Sequence, residues 1–338
     1  MKKFRFFKML LISLHIVFAI IGFYTYFFNY QLSQTLLLQK TQSKQTILAK
    51  AGASSIENLL KNVQNQLSSF TFSFAKINDD APIDKDSTRG EFVGYMQRSQ
   101  LPINGIALFD EYGKLAIIEN RMHLRVGEDQ DFSKAEFVKW SKSPENRDRS
   151  LVSGPYVGTA GASSGKIILI VAKPVYFGTR FRGTLIVRIL VDDLRKTFIA
   201  PLASDAEEDS FIVNSQGVLV AGKNQLLNKN LLLYAQSKKW NGYKEFLAGF
   251  TQAIKNDRTL STWVFQNPNE QPKNLLVVVS KIDLPNTDKD LFLVVSTPKN
   301  DILAALTPLR LYGIAWLGFG VLTTIIGSLI VLLLPTLE

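Results

Sequence analysis

The chain is 338 residues long, carries a formal net charge of +10 and contains no cysteine. The missing thiols exclude disulfides, thiolate nucleophiles and cysteine metal sites together. The Lys and Arg residues are dispersed rather than gathered in a patch, which argues against a nucleic-acid surface and leaves an anionic small ligand or a lipid headgroup as what the charge favours.

Lys2, Lys3, Arg5 and Lys8 occupy an N-terminal segment, 1–8, and an apolar run follows over 9–29. Its length is close to the roughly 20 residues that cross a hydrocarbon core, and short basic flanks stay cytoplasmic. Tyr24, Tyr26 and Tyr30 stand at the outer end of the run, as interfacial aromatics do. The run is too long for a cleaved leader, and Phe27, Phe28, Asn29 and Tyr30 offer no small-residue cleavage site, so an uncleaved anchor is expected. A second apolar run covers 309–334, with Arg310 and Tyr312 at its outer end. Both spans together predict a two-pass membrane protein whose cysteine-free central region lies outside, which fits a bacterial periplasm or cell surface. Such a layout samples one compartment and reports to another.

From Gln31 to Ile77 there is no proline, and Ile56, Leu59, Val63, Leu67, Phe70, Phe74 and Ile77 recur at helical spacing. A long stalk helix is predicted over 30–80. At about 1.5 Å per residue the stretch from Gln31 to Ile77 would extend about 70 Å. Its apolar stripe has two uses, packing on the chain's own domain and pairing with a second copy, and the two are compatible.

Asn78 to Asp86 is polar and contains Pro82, so a turn is expected, with a short helix over Ser87–Ser99. Then the period changes. Gly105–Asp110 and Lys114–Glu119 read as two strands joined at Tyr112-Gly113, Phe132–Lys142 as a helix, and Ser150–Gly154, Lys166–Lys173 and Phe181–Leu190 as three more strands. The order then returns: a hairpin at Ser210–Asn214 and Val218–Ala221, a helical stretch over Leu231–Ile254, and strands at Thr259–Gln266, Asn274–Lys281 and Leu291–Ser296. A helix beginning near Lys299 runs into the second span. Ile106 to Ala116 and Phe211 to Ala221 share the pattern apolar-Asp/Asn-x-x-Gly-x-Leu. In both, Asp110 or Asn214 can hydrogen-bond its own turn while Gly113 or Gly217 supplies positive φ. The fold class is therefore α+β: a long N-terminal helix, then two antiparallel-sheet modules of about five strands each, flanked by transmembrane helices.

Several segments carry a likeness to a known family. Phe109-Asp110-Glu111-Tyr112-Gly113-Lys114-Leu115 looks like its first hairpin. Gly127-Glu128-Asp129-Gln130-Asp131-Phe132-Ser133 leads to Phe137 as its pocket helix begins. Val152-Ser153-Gly154-Pro155-Tyr156, Ala172-Lys173-Pro174-Val175-Tyr176 and Gly183-Thr184-Leu185-Ile186-Val187-Arg188-Ile189 stand where its later strands do. In this order they resemble the double Cache, PAS-like periplasmic sensor domain of bacterial transmembrane receptors, over roughly residues 31–308. The resemblance implies a membrane-distal module over 81–197 that binds a small molecule and a membrane-proximal module over 198–308. It also implies long helices that carry the signal, and a homodimer. Amino-acid-binding members show an Arg-x-Trp-Tyr run on the pocket helix and a carboxylate in the closing strand. Lys134-Ala135-Glu136-Phe137 and Arg188 stand at those places here, which argues against an α-amino-acid ligand.

The candidate site is cationic instead. Lys134, Lys173 and Arg188, with Arg121 or Arg125, are expected to converge with Tyr156 and Tyr176 on a carboxylate, because charge-assisted bonds are strong. The opposing reading is that these are solvated surface charges. Trp140 is a further lining candidate, while the spacing of Phe137 is that of a core face. Gly161-Ala162-Ser163-Ser164-Gly165 fits a nucleophile elbow in letters only: it lies between strands, and the only histidines are His15, inside the first span, and His123, upstream. Asp79, Asp80, Asp84 and Asp86 lack calcium-loop spacing. No catalytic residue, metal or cofactor is expected in this region. Gly320, Thr324 and Ser328 form a small-residue face on the second span, as do Thr323 and Gly327. Pro335 and Leu337 suit the start of a cytoplasmic linker at 335–338, so an effector is expected beyond Glu338 or on a partner protein. The rival reading is a membrane-anchored scaffold whose outer domain binds protein.

Overall fold

A computed structural model of the chain describes residues 2–75, 84–99, 102–122, 128–158, 163–199, 209–221, 230, 233, 248, 251–252, 261–265, 273–284 and 290–333. The chain divides into two compact units, 45–297 and the two terminal segments, 1–44 with 298–338.

One helix, α1 (Lys2–Ala75), passes without interruption from the first apolar run into the proline-free stretch. Within the larger unit it carries the apolar stripe read from the sequence. Ile56, Leu59, Val63 and Leu67 are at most 2% exposed. Helix α2 (Lys85–Arg98) starts where the Asp84 carboxylate accepts from the backbone N–H groups of Asp86 and Ser87, an N-cap of the expected kind. Its Phe92 and Tyr95 meet Phe70 of α1 edge-on, and the Tyr95 hydroxyl donates to Gln66.

The first sheet holds β1 (Ile103–Asp110), β2 (Leu115–Asn120), β3 (Leu151–Val157), β4 (Ile167–Phe177) and β5 (Arg180–Leu190) in the order β2-β1-β5-β4-β3. The second holds β6 (Asp209–Asn214), β7 (Leu219–Ala221), β8 (Ser261–Phe265), β9 (Lys273–Ile282) and β10 (Leu291–Pro298) in the order β7-β6-β10-β9-β8. Position for position the two orders are the same, so the repeat legible in letters is a repeat of topology. The turns repeat as well. Asp110 Oδ1 accepts from the N–H groups of Tyr112, Gly113 and Lys114, and Asn214 Oδ1 from those of Gln216 and Val218. Gly113 and Gly217 sit at φ 95° and 77°, where a Cβ is strained.

One apolar cluster joins α1, α2 and a face of each sheet, running from Ile56 and Phe92 through Leu169 and Leu185 to Val278 and Leu293. The stalk stripe therefore serves the chain's own core over Ile56–Leu67. Two polar contacts fasten α1 to the second module: Glu57 accepts from the Asp283 N–H at 2.9 Å, and Gln45 donates to the Thr297 hydroxyl with both side chains buried.

On the other face of the first sheet lies a short helix, α3 (Glu136–Lys142). The sequence places its start at Phe132. The structure moves it to Glu136 because the Asp131 carboxylate takes the Ser133 N–H at 2.8 Å, and Phe132 N–H bonds to the Gly113 carbonyl. Side-chain capture of a backbone donor holds Asp131–Ala135 in turns instead of a first helical turn. After β5 comes a short α-helical stretch, α4 (Val191–Leu194), continued by a π-helical turn over Arg195–Ile199, and Asp192 pairs with Arg195 and Lys196. The expected helix over Leu231–Ile254 lies almost wholly outside the described residues, as do Arg125, His123 and the segment after Leu333.

In the smaller unit, α1 is accompanied by α5 (Lys299–Ala304) and α6 (Thr307–Leu333). Both α1 and α6 contain stretches long and apolar enough to cross a membrane. Among the glycines of α6, Gly313 is the one at which α1 comes nearest. A Cβ there would overlap the Tyr26 ring, whose hydroxyl donates to the Arg310 carbonyl at 3.4 Å. Gly327 faces His15, whereas a Cβ on Gly320 would meet nothing within 4 Å among the described residues.

Candidate functional site

Alternation along β4 and β5 divides the first sheet into two environments. Leu169, Val171, Leu185, Val187 and Ile189 join the large core with α1. Ile168, Ile170, Ala172, Ile186 and Leu190 face the other way, towards Phe137 and Val138 of α3. Arg188 has the parity of the second set. Under α3 this face is not filled. A cavity of about 260 Å³ remains, with walls that include Ala107, Phe109, Ile170, Phe137, Glu136, Tyr156 and Arg188.

Arg188 is 8% exposed. Burial lowers its pKa from the usual guanidinium range without removing the charge. Its Nε and Nη2 atoms have no hydrogen-bond partner among the described residues. The guanidinium finds room because β1 has a glycine opposite. A Cβ on Gly105 would stand 2.8 Å from Arg188 Nη2 and 2.9 Å from the Glu119 carbonyl oxygen. A buried cation with unused donors is costly, and the residue that carries them here lines the cavity.

The opposite wall carries a carboxylate. Glu136, in the first turn of α3, accepts from the Tyr156 hydroxyl at 2.5 Å and from the Ser153 hydroxyl at 3.1 Å, and the two hydroxyls contact each other. Burial first, and the neighbouring Glu136 second, raise the Tyr156 pKa above the phenolic range, so the hydroxyl stays a donor.

The structure brings Arg188 and Tyr156 into one cavity and sets the other candidates elsewhere. Lys134 is exposed in the turn before α3. Lys173 has the parity of Val171 and Val175, on the helical side, and its ammonium donates to the Asp148 carbonyl at 2.8 Å. Burial lowers its pKa. Tyr176 stacks edge-on with Phe181 and under Arg147. Trp140 packs half-buried against the α3 cluster without reaching the cavity wall. Arg121 is exposed past the end of β2. Ser163 of the glycine-rich loop is buried, and its hydroxyl donates to Asn104 at 2.9 Å. Glu136 is the site residue that the sequence candidates omit. The signal for it is its place in Lys134-Ala135-Glu136-Phe137, a charge in the segment that covers an apolar face.

A cavity between a five-stranded antiparallel sheet and a short covering helix, beside a second sheet of the same strand order on the same long helix, is the arrangement of a sensor fold. The Cache domain profile matches residues 30–306, and the chain belongs to that family. The methyl-accepting chemotaxis protein PscA of Pseudomonas syringae pv. tomato is 31% identical over 93 residues, 27% of this chain and 14% of that protein. The chain thus spans only a small part of that relative's length. The ligand-binding domain of Campylobacter jejuni chemoreceptor Tlp3 in complex with L-valine superposes with TM-score 0.54 at 15% identity, over 80% of this chain and 98% of that one. That of Pseudomonas fluorescens chemoreceptor CtaA in complex with L-alanine gives 0.52 at 14%, over 77% and 97%. These similarities establish the fold.

Proposed function

We propose that the chain is the sensing region of a bacterial inner-membrane receptor, with residues between the spans in the periplasm. The cavity under α3 in the distal module, 81–197, binds a small carboxylate, and the proximal module, 198–308, connects it to α6. The observation that carries this reading is Arg188, a buried residue of the cavity lining whose donor nitrogens Nε and Nη2 have no partner among the described residues. A carboxylate accepts from both in a forked geometry and removes the penalty of leaving them unpaired. Ligand-binding and not catalysis is the role the family implies. The liganded relatives hold L-valine and L-alanine, both of which carry a carboxylate.

Binding biases two arrangements of α1 and α6 only by its differential affinity for them. The signal passes through α6 to a cytoplasmic effector, and the receptor works as a dimer. Since the stripe from Ile56 to Leu67 is buried in the chain's own core, pairing uses other positions of α1, among which Leu32, Leu36 and Ile47 are exposed. The test is a thermal-shift screen of the full chain in lipid nanodiscs against carboxylates, amino acids and purines. A ligand at a hundredfold its dissociation constant adds about 2.7 kcal/mol. Carboxylates should shift the wild type and not Arg188→Ala. Equal shifts in both would overturn the assignment of Arg188, and no shift with any compound would favour a protein-binding scaffold.

A further inference from the structure

The cavity has two polar ends, and they are far apart. Ser153, Ile170, Arg188, Gly105 and Asn120 stand abreast on β3, β4, β5, β1 and β2. By alternation all five point to the α3 side, as their neighbours Leu151, Ile168, Ile186, Ala107 and Ile118 do. The Glu136 carboxylate is held over Ser153, at one edge of this row. The Arg188 guanidinium leans the other way, with Nη2 over Gly105. From β3 to β1 there are three strand intervals, about 14 Å along the sheet at roughly 4.8 Å each. Between them the floor and roof are apolar: Ile170, Ile186, Ala107 and Phe137.

Resting on the reading that Arg188 holds a carboxylate, we infer that Glu136, set by Ser153 and Tyr156, is a second anchor. It selects an elongated ligand whose ammonium lies several methylenes from its carboxylate. An α-amino acid carries both charges on one carbon and meets one end of the cavity only. A plain fatty carboxylate brings no cation to Glu136. A dicarboxylate of matching length brings like charge against it. An ω-amino acid satisfies both ends while its methylenes lie on the apolar floor. A carboxylate has about four lone-pair sites, so it can accept from an ammonium beside the Ser153 and Tyr156 hydroxyls. Because both hydroxyls are held as donors, the carboxylate is fixed in place before the ligand arrives.

The test uses four ligands with five carbons: valerate, L-norvaline, δ-aminovalerate and glutarate. They are titrated calorimetrically into the full chain in nanodiscs, as wild type, Glu136→Gln and Glu136→Lys, with melting curves to establish that each is folded. The wild type should bind δ-aminovalerate about tenfold or more tightly than valerate or L-norvaline, the increment of one charge-assisted bond, and should reject glutarate. Glu136→Gln should lose that preference while still binding valerate, and Glu136→Lys should bind glutarate in place of δ-aminovalerate. L-norvaline binding as tightly as δ-aminovalerate, or an unchanged preference in Glu136→Gln, would overturn the inference and leave the carboxylate reading of Arg188 intact. Failure of all four ligands to bind the wild type would overturn both.

Discussion

The two faces of the first sheet are made from the same strands and do opposite things. On β5, Leu185, Val187 and Ile189 are fully buried against α1 and the rest of the large core. Ile186 and Arg188, each one position away, face α3. The first face is apolar and closed. The second keeps a cavity, a buried guanidinium with unused donors and a carboxylate held by two hydroxyls. A β-strand has period two, so each face can be composed independently. In the proposed reading, stability sits on one and recognition on the other, at positions adjacent in the chain.

That division can be broken from either side. The largest effect is expected from Leu185→Ala on the closed face, which removes a fully buried side chain and should cost about 3–5 kcal/mol of stability. Chemical denaturation of the full chain checks this, with ligand affinity per folded molecule little changed. Arg188→Met on the open face should do the reverse. It should weaken carboxylate binding about a hundredfold, the value of a forked charge-assisted pair. It should also raise the melting temperature of the unliganded chain, because a buried cation with unsatisfied donors is removed. Calorimetric titration and melting curves of the same preparation read both.

A smaller effect comes from Gly105→Ala. The added Cβ meets Arg188 Nη2 and the Glu119 carbonyl, so the guanidinium must shift, and affinity should fall about tenfold with a modest loss of stability. The smallest is a pH effect. Burial and Glu136 keep the Tyr156 proton on beyond the ordinary phenolic value of 10.0. The unfolded chain releases that proton first, so this group's contribution is complete below the ordinary value and declines as pH rises past it. In Tyr156→Phe that share of the alkaline loss should vanish, which melting curves taken on both sides of the phenolic range would show.

The hairpins are readable in the sequence because their chemistry is local: Asp110 with Gly113 and Asn214 with Gly217 state the turn within five residues, and the strands follow from them. Apolar spacing misplaces the start of α3 because the side chain of Asp131 competes for a backbone donor, a contest that spacing does not register. The cationic cluster is only partly legible for a different reason. Both faces of β4 and β5 are apolar over most of their length, so alternation in the letters does not say which face a lysine or arginine takes. Lys173 and Arg188 look alike in sequence and lie on opposite sides of the sheet. Glu136 escapes sequence reading because its partners, Ser153 and Tyr156, come from a strand more than a dozen residues away, and only register brings them together.

The central claim is that the Arg188 guanidinium is the carboxylate anchor. Side-chain NMR of the full chain, isotope-labelled at arginine and held in nanodiscs, tests it most directly. One Nε–H signal, missing from Arg188→Met, should move downfield when δ-aminovalerate or valerate saturates the protein. If the ligand binds by calorimetry while that signal stays in place, the anchor lies elsewhere and the account of the cavity is wrong.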